Sequence, residues 1–257
     1  MEFVIIAIVS ASASLLTLFS GFGLGTILMP AFAVFFPLDI AISLTAVVHL
    51  FNNLFKLIIF GRQANHRIVM RFGLPAVVAA LAGAWALFFL QHWPSLYHYS
   101  LGGRHFEITL IKIVIALIMI GFIIFETLPR FRNLSFDERS LSWGGILSGF
   151  FGGLSGHQGA LRSMFLTRCG LSKESFIATG VVIACLVDFA RLFVYGLYFF
   201  HTELKNNGQI VFVATFAAWL GVYVGGKILK KVTFSFIQKL VSGMVVMIAL
   251  FLGSGLI

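Results

Sequence analysis

Apolar stretches follow one another along almost the whole chain, at about 3–20, 26–36, 39–60, 68–90, 107–128, 141–154, 158–167, 174–200, 208–228 and 235–256, with short polar loops between them. A helix needs about 20 residues to cross a bilayer. The pattern therefore predicts an all-α integral membrane protein. Only 11% of the 257 residues are charged, where soluble domains carry roughly 25%. With a mean hydropathy of +1.02, a soluble core of this size could not hide so much apolar surface from water. The net charge of +9 fits basic cytoplasmic loops, and no nucleic acid partner is expected. Glu2 is the only charge before the first apolar stretch, so a cleaved secretory signal is not expected. Cys169 and Cys185 form neither a disulfide framework nor a metal-spacing motif.

Three stretches, 26–36, 141–154 and 158–167, are too short to cross. The short pieces meet at glycine-rich breaks, Ser20-Gly21-Phe22-Gly23-Leu24-Gly25 and Gly152-Gly153-Leu154-Ser155-Gly156-His157-Gln158-Gly159. Glycine permits the sharp reversal that a broken membrane helix requires. The two halves also match at an offset of 135 residues: Ser20-Gly21 with Ser155-Gly156, Asp39 with Glu174, Asn53 with Asp188, Lys56 with Arg191, and Gly61 with Gly196. This reads as a duplicated unit, one broken segment followed by three full helices. The expected division is a first membrane repeat at 1–128, a cytoplasmic linker at 129–140 and a second membrane repeat at 141–257.

Basic residues choose between two arrangements. If each break is a kink in a spanning helix, Arg62, Arg67, Arg71, Arg130, Arg132, Arg139 and Lys205 face Arg104, Arg168, Lys173, Lys227, Lys230, Lys231 and Lys239, seven against seven. If each broken segment is a hairpin that enters and leaves on one side, each repeat crosses three times and the repeats are inverted. One face then holds Arg62, Arg67, Arg71, Arg130, Arg132, Arg139, Arg168, Lys173, Lys227, Lys230, Lys231 and Lys239, twelve in all, and the other only Arg104, Lys112 and Lys205. The second bias is the one that cytoplasmic loops show. The expectation is therefore two inverted repeats, each a re-entrant helical hairpin plus three transmembrane helices, with both termini extracytoplasmic. The stretch 3–20 is by itself long enough to cross, and would have to tilt or lie along the interface.

Inverted repeats with broken helices describe many secondary transporters, whose substrate lies near the midplane where half-helices meet. The half-helices that begin near Gly25 and Gly159 point N-termini into the membrane, and such ends attract anions. Alternatively, the glycines serve close helix packing. Arg162, three residues past Gly159, has no carboxylate in its own segment; an anion, or Asp188, would be its partner. Asp188 and Arg191, three apart on one helix face, are expected to pair with each other. His49, Asn52, Asn53 and Lys56 form one polar stripe at i, i+3, i+4 and i+7, a candidate cavity lining. His157 in the second break could titrate and couple transport to a proton, or could be held by backbone. His92, His98 and His105 share an outer loop with Glu107, where solvated residues are expected rather than a metal site. No nucleotide-binding or hydrolase motif is present.

The run Ser20-Gly21-Phe22-Gly23-Leu24-Gly25-Thr26-Ile27-Leu28-Met29-Pro30 resembles the glycine-rich first segment of the TauE/SafE sulfite exporter family, also called the toluene sulfonate uptake permease family. Ala41-Ile42-Ser43-Leu44-Thr45 resembles the Ala-x-x-Thr-like start of that family's next helix. In the second half, Gly156-His157-Gln158-Gly159-Ala160-Leu161-Arg162 stands where the family has a glycine-rich, apolar run ending in Pro. The resemblance implies a carrier of sulfur-containing anions such as sulfite or organosulfonates. The expected function is thus a secondary transporter, an exporter, working by alternating access in a membrane such as the bacterial inner membrane. Its expected substrate-binding residues are Gly21, Gly23, Gly25, His49, Asn52, Asn53, Gly156, His157, Gln158, Gly159, Arg162, Asp188 and Arg191. No catalytic residue, metal or cofactor is expected. The partners are lipid, a small anion, and a proton or other coupling ion. The rival is a membrane-embedded enzyme or scaffold that uses the intramembrane His and Arg residues.

Overall fold

The computed structural model describes residues 1–17, 23–128, 135–198, 200–228 and 234–257. Its helices are α1 (Glu2–Thr17), α2 (Leu24–Ala33), α3 (Leu38–Phe60), α4 (His66–Gln91), α5 (Leu110–Thr127), α6 (Leu141–Ser155), α7 (Gly159–Leu166), α8 (Lys173–Tyr198), α9 (Phe200–Ile228) and α10 (Phe234–Gly253). Among the described residues, five helices are long and apolar enough to cross a membrane: α3, α4, α5, α8 and α9. Their outer faces are apolar and uncovered. Ile58 is 83% exposed and Phe212 71%, the inverse of a soluble surface and the face that lipid covers. The protein is an all-α membrane protein in its spans.

Local chemistry sets the ends of these helices. Asn65 caps α4 by accepting from the Ile68 N–H, and Thr109 caps α5 by accepting from the Lys112 N–H. Gly156 ends α6 in the left-handed region at φ 83°, returning its N–H to the Gly152 carbonyl. α4 contains a π-helical turn at Val69–Gly73. The outer loop before α5 is a β-hairpin, β1 (Tyr97–Leu101) and β2 (Arg104–Ile108), turned by Gly102 and Gly103 at φ 59° and 78°.

Contacts fix the direction of each helix. His49 and Asn53 of α3 meet Asp188 of α8, while Asn65, just past α3, meets Thr179 near the start of α8. The two helices therefore run antiparallel. The start of α5 meets the end of α10: Ala116 faces Gly253, and Tyr99 donates to the Ser254 carbonyl at 2.8 Å. α4 and α6 run parallel, with Phe72, Ala76 and Ala80 facing Gly145, Gly149 and Gly153. A methyl on any of these three glycines would overlap a carbonyl oxygen of α4, so the two helices touch backbone to backbone.

α7 folds back on α6. Gln158 sits beside Gly152, Phe165 beside Gly144, and the Phe136 N–H before α6 bonds the Met164 carbonyl near the end of α7. The chain thus returns to the level at which it entered. α6, with 15 residues, is only about 22 Å long, short of the roughly 30 Å hydrocarbon thickness. α1 packs along α9 and α2.

Some boundaries differ from the sequence pattern. The first stretch forms a helix of 16 residues, shorter than a crossing, and Ser20-Gly21-Phe22 lies outside the described residues. The polar run at 201–208, read as a loop, belongs to α9, and Lys239 falls within α10. Lys, Glu and Gln are good helix formers, so a helix runs on beyond its apolar core. Arg130, Arg132, Lys230 and Lys231 lie outside the described residues.

Candidate functional site

The two breaks meet in the middle of the fold. A side chain at Gly25 would come within 2.7 Å of the Gly156 carbonyl oxygen, and Gly23 lies against the Gly159 backbone. α2 and α7 thus start from one point, and their first N–H groups converge on it.

Beside this point lies a fully buried charge pair. Arg191 Nη2 stands 2.8 Å from Asp188 Oδ1, and neither side chain is exposed. The other Asp188 oxygen lies 2.6 Å from His49 Nδ1 and accepts from Asn53 Nδ2 at 2.9 Å. Gln158 Nε2 donates to Asp188 Oδ1 at 3.3 Å. Arg191 also donates to the Gly152 carbonyl at 3.4 Å, and Tyr195 to that of Gly153. These bonds saturate the carboxylate, which is the condition for a buried ion pair to be held.

Next to the pair opens a cavity of about 170 Å³. His49, Asn53 and Lys56 of α3 line one wall, Gly23 and Gly159 the tip, and Arg162 of α7 the opposite wall. Lys173, Phe176, Ile177 and Gly180 of α8 carry the wall on from there. No Asp or Glu is among the lining residues. Arg162 donates to Gln158 Oε1 at 3.2 Å, and Lys56 is 6% exposed. Among the described residues, neither cation is in ion-pair contact with a carboxylate. Asp188, the nearest acid, already has Arg191. Buried Lys56 and half-buried Arg162, with Lys173 also in the lining, two converging helix N-termini and no acid in that lining form a site electrostatically suited to a small anion.

The sequence-derived candidates separate accordingly. Gly23, His49, Asn53, Gly159 and Arg162 line the cavity. Asp188, Arg191 and Gln158 lie one layer behind it as the network that orients His49, Asn53 and Arg162. Asn52 points away, accepting from Ser14 of α1 at 2.9 Å. Gly25 and Gly156 are needed for close approach: the Gly25 methyl would strike Gly156, and a Gly156 methyl would strike Arg191. His157 lies 3.0 Å from the Ser155 hydroxyl and packs on Phe122, outside the cavity lining. Gly21 lies outside the described residues. The outer histidines are dispersed: His92 ends α4 beside the Phe88 carbonyl, while on the β-hairpin His98 is opposite Glu107 and His105 opposite Ser100. Among the described residues, no group of three His, Cys, Asp or Glu side chains could hold a metal.

Sequence reasoning missed Ser163, Lys173, Phe176 and Gly180 in the lining, and Glu126 behind α2. Lys173 reads as an ordinary loop charge, and only folding brings it to the cavity. Glu126 carried a signal: it is an acid at the end of an apolar run.

Residues 6–252, nearly the whole chain, match the family model described as Sulfite exporter TauE/SafE. Comparison with curated proteins finds no match.

Proposed function

The chain belongs to the sulfite exporter TauE/SafE family, a family of membrane transport proteins, and from that premise we propose that it exports small sulfur-containing anions such as sulfite or organosulfonates. The observation that carries this reading is the cavity that holds Lys56 and Arg162 and no carboxylate. Two cations in a membrane interior, neither in ion-pair contact with a carboxylate among the described residues, favour an anion beside them. A guanidinium gives a planar fork for two oxygens of a sulfite or sulfonate, and the N-termini of α2 and α7 supply further N–H groups.

Transport would proceed by alternating access between two inverted repeats, 1–128 and 141–257, joined by a cytoplasmic linker at 129–140. Three features support the inversion. α3 and α8 are equivalent at the 135-residue offset and run antiparallel, and Asn53 bonds its own counterpart, Asp188. α7 folds back along α6. The packing is reciprocal as well: α1 lies on α9 while its counterpart α6 lies on α4. Arg62, Arg67, Arg71, Arg168 and Lys173 flank the end on which the cavity wall along α8 runs out, so the described state faces the cytoplasm on this reading. The enzyme reading gains nothing here, because His157 packs on Phe122 rather than facing the cavity.

A thermal-shift series on purified protein tests the proposal. Sulfite, sulfate or a sulfonate should raise the melting temperature of the wild type in proportion to occupancy. Arg162→Ala should abolish that rise without lowering the ligand-free melting temperature by more than a few degrees. Arg162→Lys should restore it in part, because an ammonium lacks the fork. An undiminished shift in Arg162→Ala would remove the residue from the site.

A further inference from the structure

Among the described residues, Glu126 is the one buried acid that the site described above does not use. It is 6% exposed near the end of α5. Thr26 Oγ1 lies 3.5 Å from its Oε1, the Gly23 backbone bonds the carboxyl, and its Oε2 is buried with no partner. Gly23 also lines the anion cavity, so a single turn of backbone at the start of α2 separates the carboxyl from a bound anion.

Among the described residues, no cation is in ion-pair contact with Glu126. α2 carries no charged residue, and α4 carries His66, Arg67 and Arg71 at its first turns, level with the end of α5, where none of them is in ion-pair contact with Glu126. On α7, Arg162 turns to Gln158 and the cavity. Lys112 is at the opposite end of α5. A titratable group on the same side is His157, whose ring lies 5.3 Å from that of Phe122, one turn before Glu126, and whose Nε2 has no partner. The side chain of Lys239 on α10 and residues Arg130 and Arg132 lie outside the described set.

An ionised carboxylate and a bound anion would therefore draw on the same N-terminus, that of α2, across one backbone turn. Like charges so placed disfavour each other. We infer that Glu126 is a proton site linked to the anion site, its Oε2 taking a proton from water when an anion binds at the α2 N-terminus and releasing it when the anion leaves. Only an O–H bond forms and breaks. The inference rests on the anion site proposed above. By linkage, protonation of Glu126 must raise anion affinity by the same factor that the anion raises proton affinity.

The test uses sulfate and methanesulfonate, whose own charge is constant between about pH 5 and 9, on the purified full chain. Wild-type affinity should fall as pH rises, by up to about tenfold per unit once Glu126 ionises. Glu126→Gln, a neutral isostere that can still accept from Gly23 and Thr26, should bind with a nearly flat profile at the tight end. In weakly buffered solution, anion addition should take up protons with the wild type and not with Glu126→Gln. Equal pH profiles in the two proteins, or no proton uptake by the wild type, would overturn the inference. Should Glu126→Gln not purify, Glu126→Met at the same position decides: uptake lost there with anion binding kept assigns the proton to Glu126, and uptake retained assigns it to His49, Lys56 or His157 and overturns the inference. Anion binding with an unaltered pH slope sinks this inference alone. A wild type that binds neither probe at any pH sinks the anion site and the proton site together.

Discussion

Asp188 and Arg191 sit side by side with no exposure at all, and the carboxylate has every lone-pair direction occupied by His49, Asn53, Gln158 or Arg191. Removing one partner of such a pair strands the other charge. Arg191→Met should therefore lower stability by about 3–5 kcal/mol, read as a large drop in the ligand-free melting temperature, with the double variant Asp188→Asn/Arg191→Met recovering part of it. A melting temperature unchanged in Arg191→Met would mean that water or another cation reaches Asp188. The pair itself was legible, because a spacing of three puts both side chains on one helix face. The rest of the network was not. His49 and Asp188 are 139 residues apart, and Gln158 bridges Asp188 to Arg162 only because a hairpin tip lies against α8. Polarity in an apolar helix announced that these residues matter, but not which of them face the cavity and which face each other.

At the scale of elements, the tightest contact is the one between α4 and α6, where Gly145, Gly149 and Gly153 recur every fourth residue. Gly149→Ala should drive a methyl into the Ala76 carbonyl and destabilise the protein by about 1–3 kcal/mol or more. Gly121→Ala on α5 meets nothing within 4 Å and should be neutral or slightly stabilising, since Ala is the better helix former. Equal melting temperatures for the two variants would contradict the packing described. The same argument changes the expectation for Gly25, where an Ala would strike the Gly156 carbonyl and reduce stability before any effect on anions. Apart from the start of α9, eight residues before the expected boundary, helix positions were readable to within a few residues because apolar length in a bilayer leaves little choice. The breaks were readable because glycine clusters there. Which helix each glycine stripe would face was not, since a period of four names a face and no partner. The β-hairpin at 97–108 also escaped, although Gly102-Gly103 between two polar runs is a hairpin signal.

For the whole molecule, the fold class followed from hydropathy alone, whereas the orientation rests on loop charge. On the inverted-repeat reading, a fluorescent protein that matures only in the cytoplasm should stay dark when fused after Ile257, and one inserted in the 129–140 linker should be bright. Reversal of both signals would invert the topology, and one bright terminus would change the number of crossings. The reciprocal packing has a consequence for biogenesis. α1 emerges from the ribosome long before its packing partner, Phe200–Ile228, some 200 residues later. Until that helix is inserted, the backbone of α1 at Ala11 lacks the close fit that Gly221 provides, and a helix of 16 residues is too short to hold a crossing unaided. On the inverted-repeat reading, a nascent chain halted after its first half would therefore present an unfinished hairpin to lipid, a loose end by which membrane quality-control proteases would tell it from a completed molecule.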